Sequence, residues 1–186
     1  MKEFELERKI VDEVGKSLRP SGWRLKEAPL DSGFDVIATS PKGNLFPIEI
    51  KGGKGDLDVS TVVRFGSSVK DSTDSGKLDE YANLSSLTGK QIDEVGVKPL
   101  IVTSRQLPPA TSDYASRLHI EVVTPEKLKF GDKTEVAHDE IGQLKERLLD
   151  SLKNWDTRIQ DKKELGTDSA EPRSIPSWYR FKRPDE

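Results

Sequence analysis

Three side chains able to do acid, base or metal chemistry lie close together in this chain. Asp35 sits in the run Gly33-Phe-Asp-Val-Ile-Ala-Thr39, and Glu49 and Lys51 sit in Leu45-Phe-Pro-Ile-Glu-Ile-Lys51. Both runs are apolar and of strand composition, and Ser40-Pro-Lys-Gly-Asn44 between them is turn-rich, so the pair predicts a β-hairpin. Strand side chains alternate, which puts Glu49 and Lys51 on one face and Ile48 and Ile50 on the other. Carboxylates and an ammonium on an apolar hairpin are costly to bury unless they pair or hold a metal. Two carboxylates with the Ile50 carbonyl make an all-oxygen donor set suited to a hard divalent cation, Mg²⁺ best of all. A lysine beside it can orient or help deprotonate a water and offset charge on a phosphorane-like transition state. Those are the needs of phosphodiester hydrolysis.

The elements that must position these groups follow from periodicity. Residues 3 to 18 predict an amphipathic helix with Phe4, Leu6, Ile10, Val11, Val14 and Leu18 as its apolar stripe. At about 100° per residue from Leu6 the stripe centres near roughly 90°, and Glu7 falls at about 100°, inside it. A carboxylate there either frays into water at the helix end or faces a polar site in the core. Arg19-Pro-Ser-Gly22 stops the helix, and Trp23 to Glu27 alternates as a first strand. Short connections make the first three strands antiparallel.

The stretch from Gly52 to Gly76 is rich in Gly, Ser, Asp and Lys around an apolar island from Val59 to Phe65, and predicts a long loop, either a substrate-ordered flap or a solvated excursion. A helix through Leu78, Tyr81, Leu84 and Leu87 follows, then a buried strand over Val97 to Thr103. A short helix over 111 to 118 and a strand over Ile120 to Thr124 come next, and Thr124-Pro-Glu-Lys-Leu128 has the N-cap and proline of a helix start. Helices between strands imply parallel neighbours with right-handed crossovers. The predicted order is α-β-β-β-α-β-α-β. From 139 to 165, Ile141, Leu144, Leu148, Leu152, Trp155 and Ile159 mark a long helix. It packs back on the sheet or supplies a seam between two subunits. The segment 166 to 186 reads as a flexible tail whose Trp178-Tyr-Arg-Phe-Lys-Arg183 cluster suits nucleic-acid stacking or docking on the domain or a partner.

Composition bounds the reading. A chain of 186 residues suits one domain, here 1 to 135, with the helix and tail as appendages. It has no cysteine, which excludes thiolate metal sites and cysteine nucleophiles. No apolar run suits a membrane span or signal peptide, so a cytoplasmic protein is expected. One residue in three is charged (34%), yet the net charge is −3, so any nucleic-acid surface must be local. His119 and His138 have no metal-spaced partner, and Gly52-Gly-Lys-Gly55 lacks the P-loop spacing.

Asp35 followed by Glu49-Ile50-Lys51, on strands of an α-β-β-β-α-β arrangement, resembles the PD-(D/E)xK nuclease superfamily, whose motif is an Asp and then Glu-x-Lys about a dozen residues on. The runs Asp31-Ser-Gly-Phe-Asp35 and Ile48-Glu-Ile-Lys51 look like archaeal Holliday-junction resolvases and type IV restriction-endonuclease-like families. The resemblance covers about residues 3 to 130. It implies a restriction-endonuclease-like α/β fold with a mixed central sheet, and Mg²⁺-dependent cleavage of DNA with Mn²⁺ able to substitute. It also implies a metal-linked glutamate in the first helix, matched by Glu7, the residue already singled out by its place in the apolar stripe. Phe34 stands where the motif often has proline, and no further motif residue is placed in the helix at 77 to 87. With DNA as substrate, Lys54, Arg64, Lys70, Lys77 and Tyr81 become the candidates to contact it. Related nucleases often act as dimers, and the 141 to 159 stripe could support a homodimer. The alternative is a non-catalytic nucleic-acid-binding or assembly module that keeps the scaffold and works through its long helix and tail.

Overall fold

The computed structural model describes residues 3–52, 57–81, 96–105, 107–125 and 138–164, with the side chains at 3, 4, 6, 7, 79, 81, 138–140 and 162–164 outside that description. The chain opens with α1 (Glu3–Leu18) and a 3-10 turn (Arg19–Ser21). It then lays down β1 (Arg24–Glu27), β2 (Val36–Thr39) and β3 (Leu45–Lys51). Helices α2 (Val59–Asp74) and α3 (Lys77–Tyr81) lead to β4 (Leu100–Thr103), α4 (Pro109–Arg117), β5 (Glu121–Val123) and the long α5 (His138–Glu164).

The five strands form one sheet in the order β1-β2-β3-β4-β5. Strands β1, β2 and β3 are antiparallel, as two short turns require, while β4 and β5 run parallel to β3 after helical crossovers. This is the mixed α/β architecture expected from the sequence, with two described helices, α2 and α3, between β3 and β4. None of the described helices is long and apolar enough to cross a membrane.

Strand alternation splits the core in two. On one face Val36, Ala38, Phe46, Ile48, Ile50, Leu100 and Val102 pack under Ile10, Val14 and Leu18 of α1 and Ile141, Leu144, Leu148 and Leu152 of α5. On the other, Ile37, Leu45 and Ile101 meet Val62, Phe65 and Val69 of α2 with Ala115 and Leu118 around α4. Each fully buried Leu, Ile or Phe contributes about 1.5–3 kcal/mol relative to exposure.

One expectation is overturned here. The 52–76 segment is no long loop: α2 occupies most of it. Asp58 caps the helix by accepting from Thr61 N–H at 2.8 Å, and Val62, Phe65, Gly66, Val69 and Ser72 are buried at helical spacing. Tertiary burial overrides the poor helix propensity of its serines and β-branched residues. Of the two readings of the 141–159 stripe, packing back on the sheet is the one the structure shows. Ile141, Leu144, Leu148 and Leu152 are buried within the chain, with Trp155 and Ile159 partly buried against the same cluster.

The far end of α5 is tied down by polar contacts. Asn44 Nδ2 donates to Asp156 at 2.7 Å in a buried hydrogen bond, and Lys98 Nζ stands 3.9 Å from the Trp155 ring centre. The described part of the helix expected over 77 to 87 is α3; the helix start at 124–128 lies mostly, and the 178–183 cluster wholly, outside the described residues.

Candidate active site

The site forms where β2 begins and β3 ends. Ala28 N–H closes the β1–β2 turn on Asp35 O at 2.9 Å. Inside it Ser32, itself buried, donates its hydroxyl to Phe34 O at 2.8 Å and accepts from Phe34 N–H at 3.3 Å. Gly33 takes φ +79°, where an L side chain is strained, and a Cβ there would collide with the Ser68 side chain of α2. The turn is therefore seated against α2 by a residue that has to be glycine.

Strand pairing runs Val36 with Ile48, so an unbroken ladder would bring Phe34 opposite Ile50. It does not continue. The Phe34 carbonyl turns to Ser32, Asp35 N–H donates to Ile48 O at 3.0 Å, and Asp35 Oδ2 accepts from Ile50 N–H at 2.6 Å. A side-chain oxygen has taken the place of the departing main chain, which fixes the Asp35 carboxylate on the third strand.

Glu49 is 6% exposed, on the α2 face of β3 opposite to Ile48 and Ile50. Its Oε1 lies 2.7 Å from Lys51 Nζ, the lysine side chain being 30% exposed. Burial is the largest cause that raises the Glu49 carboxyl above its ordinary value of 4.5, and the Asp35 charge is the second. The hydrogen bond and charge of Lys51 and the charge of Arg64 oppose this without reversing it. The ionised form of Glu49 is thus disfavoured first by its burial and second by the neighbouring Asp35 charge. Oxygen donors of like charge, held close and partly dried, fit a hard divalent cation. Among the described residues no group of three or more His, Asp or Glu forms a metal cluster; the acidic donors described there are Asp35 and Glu49.

Glu7 is helical in α1, and its side chain lies outside the description. The short 19–23 connection returns the chain into β1, which runs to Glu27 opposite Val36. The first turns of α1 accordingly point toward the site end of the sheet. Of the basic candidates, Arg64 is exposed on α2 and acts on Glu49. Lys70 pairs with Asp74 at 2.6 Å and Lys77 is exposed on α3, while Lys54 and the Tyr81 side chain lie outside the described residues. Sequence reading passed over Thr103, which pairs with Lys51 in the parallel register and whose Oγ1 accepts from Arg105 N–H at 3.2 Å. The signal for it was positional: the carboxyl ends of parallel strands are where α/β sheets bind ligands.

No family model matches the chain, and no curated protein matches it. Among solved structures it is similar to a repair endonuclease from Pyrococcus abyssi, at 21% identity and a TM-score of 0.40. The alignment covers 66% of this chain and 46% of that one, so the chain spans less than half the length of that protein. The functional reading rests on the geometry of the hairpin site.

Proposed function

We propose that the protein is a metal-dependent endonuclease that hydrolyses DNA phosphodiester bonds. The observation that carries this reading is the juxtaposition of Asp35, pinned by Ile50 N–H, with a buried Glu49 whose carboxylate contacts Lys51. Asp35, Glu49 and the Ile50 carbonyl would hold Mg²⁺, with Glu7 as a direct or water-mediated ligand and Mn²⁺ able to substitute; when bound, the ion supplies Lewis-acid polarisation of the scissile phosphate.

The chain's own groups do the rest. Ile50 N–H holds the Asp35 carboxylate in place before substrate arrives, so no reorganisation is needed at the moment of reaction. The sheet excludes water from Glu49 and strengthens its interactions. Lys51 projects to the rim of the site, where its ammonium orients the attacking water and offsets the charge that grows on the phosphoryl oxygens.

The test is a cleavage assay on linear, nicked, flapped and four-way DNA with Mg²⁺ or Mn²⁺. Wild type is expected to cut at least one substrate, with Asp35→Ala and Lys51→Ala each at least ~10²-fold slower, the scale of losing one electrostatic catalytic group. Equal cutting by the variants, or none by wild type, sinks the reading. A calorimetric Mn²⁺ titration checks the metal separately: wild type binds, Asp35→Ala does not.

A further inference from the structure

The β1–β2 turn crowds α2 where Gly33 meets Ser68, beside Phe34, which packs in the same cluster as Val62, Phe65 and Val69. Ser68 lies four residues after Arg64, roughly 40° around the helix, so both are on the flank of α2 that faces the turn. Arg64 is one helical turn nearer the N-terminus of α2, the element that follows β3 in the chain. The buried face of the helix, Val62, Phe65, Gly66, Val69 and Ser72, is centred roughly 135° away from Arg64, which leaves the guanidinium exposed rather than packed against the sheet. Its charge reaches Glu49 from there. Among the described residues no salt bridge engages it. Lys70, by contrast, sits roughly 120° around on the other flank and is already paired with Asp74.

Guanidinium groups bind phosphate oxygens in a planar, bidentate manner that ammonium groups cannot reproduce. We infer that Arg64 is the substrate-positioning residue of the site and grips a backbone phosphate of the DNA strand beside the one cleaved, so that this strand crosses the α2 flank of the pocket. The inference rests on the nuclease reading for the identity of the bound strand, and its test does not depend on cleavage.

Fluorescence anisotropy of a labelled duplex, in EDTA and across a range of salt, compares wild type with Arg64→Ala, Arg64→Lys and the control Lys153→Ala on α5, which packs on the opposite face of the sheet. Loss of one phosphate contact should lower the slope of log K against log salt by about 0.9 in Arg64→Ala. Affinity should fall about 5- to 30-fold, a loss of roughly 1–2 kcal/mol at 1.4 kcal/mol per decade. Arg64→Lys should keep the slope and recover only part of the affinity, and Lys153→Ala should match wild type. Where wild type cuts, Arg64→Ala should raise KM with little change in kcat. An unchanged slope in Arg64→Ala, an equal change in Lys153→Ala, or no DNA binding by wild type overturns the assignment. If the slope is unchanged while Asp35→Ala abolishes cleavage, the arginine contact fails and the nuclease stands. If the slope falls while wild type cuts nothing, the reverse holds.

Discussion

Replacing Glu49 by Gln separates the function of the site from its structural role, because the two predict opposite signs. Burial and the Asp35 charge together outweigh the Lys51 and Arg64 contacts, so the native state disfavours an ionised Glu49. The neutral, nearly isosteric amide removes that penalty, and Lys51, at 30% exposure, keeps contact with solvent when the Glu49 charge is gone. The net return is the relieved desolvation less the lost charge pairing with Lys51. In a chain of this size each ~1 kcal/mol gained is a Tm rise of roughly 2–4 °C in EDTA. The sign with pH follows from the raised native value. Below the ordinary 4.5 the carboxyl is protonated in folded and unfolded states alike, and the two proteins should melt together. As pH rises through the native value, wild type must ionise a disfavoured group and its stability falls relative to the variant, so the gap opens toward neutral pH. If Glu49 is a metal ligand as proposed, Mg²⁺ should reverse the ranking. At 100 times its Kd the ion stabilises wild type by about 2.7 kcal/mol, a shift of roughly 5–11 °C, and the variant by almost nothing. Thermal unfolding by circular dichroism, with and without Mg²⁺ from pH 4 to pH 8, reads both effects. A variant that melts below wild type in EDTA near pH 8 shows that the Lys51 contact outweighs desolvation. One that keeps the Mg²⁺ shift shows that Glu49 is no ligand.

Two further substitutions test the frame around the site. Leu148→Ala, at a fully buried position between α1 and the sheet, should cost about 2–5 kcal/mol in urea unfolding, with a midpoint independent of protein concentration; a concentration-dependent midpoint would return this stripe to a subunit seam. Gly33→Ala should lose more than the ~1–2 kcal/mol of left-handed strain alone, because the new methyl also strikes Ser68, and adding Ser68→Gly should recover only the excess. Full additivity of the two changes would mean that the turn does not rest on α2.

The hairpin could be read from sequence because its signals are local. Alternation placed Glu49 and Lys51 together, and the turn between the runs fixed their neighbour. The 16-residue α2 could not be read the same way, because its serines and valines favour other states and only the sheet beneath Val62, Phe65 and Val69 makes it a helix. The fate of the α5 stripe was hidden for a related reason. A row of leucines states that something covers it, and only the topology shows that the cover is α1 and the sheet of the same chain. Asp35 is the sharpest case. Its type and distance from Glu49 were visible, but the reason it can serve was not, since it depends on the ladder breaking at Phe34 and on Ile50 N–H taking a carboxylate instead of a carbonyl. That break depends in turn on Ser32 holding the Phe34 carbonyl and on Gly33 clearing Ser68. The site is therefore built by four consecutive residues, the end of β3 and a helix that sequence reading took for a loop, and Arg64 was set apart from the other basic candidates only once that helix was in place.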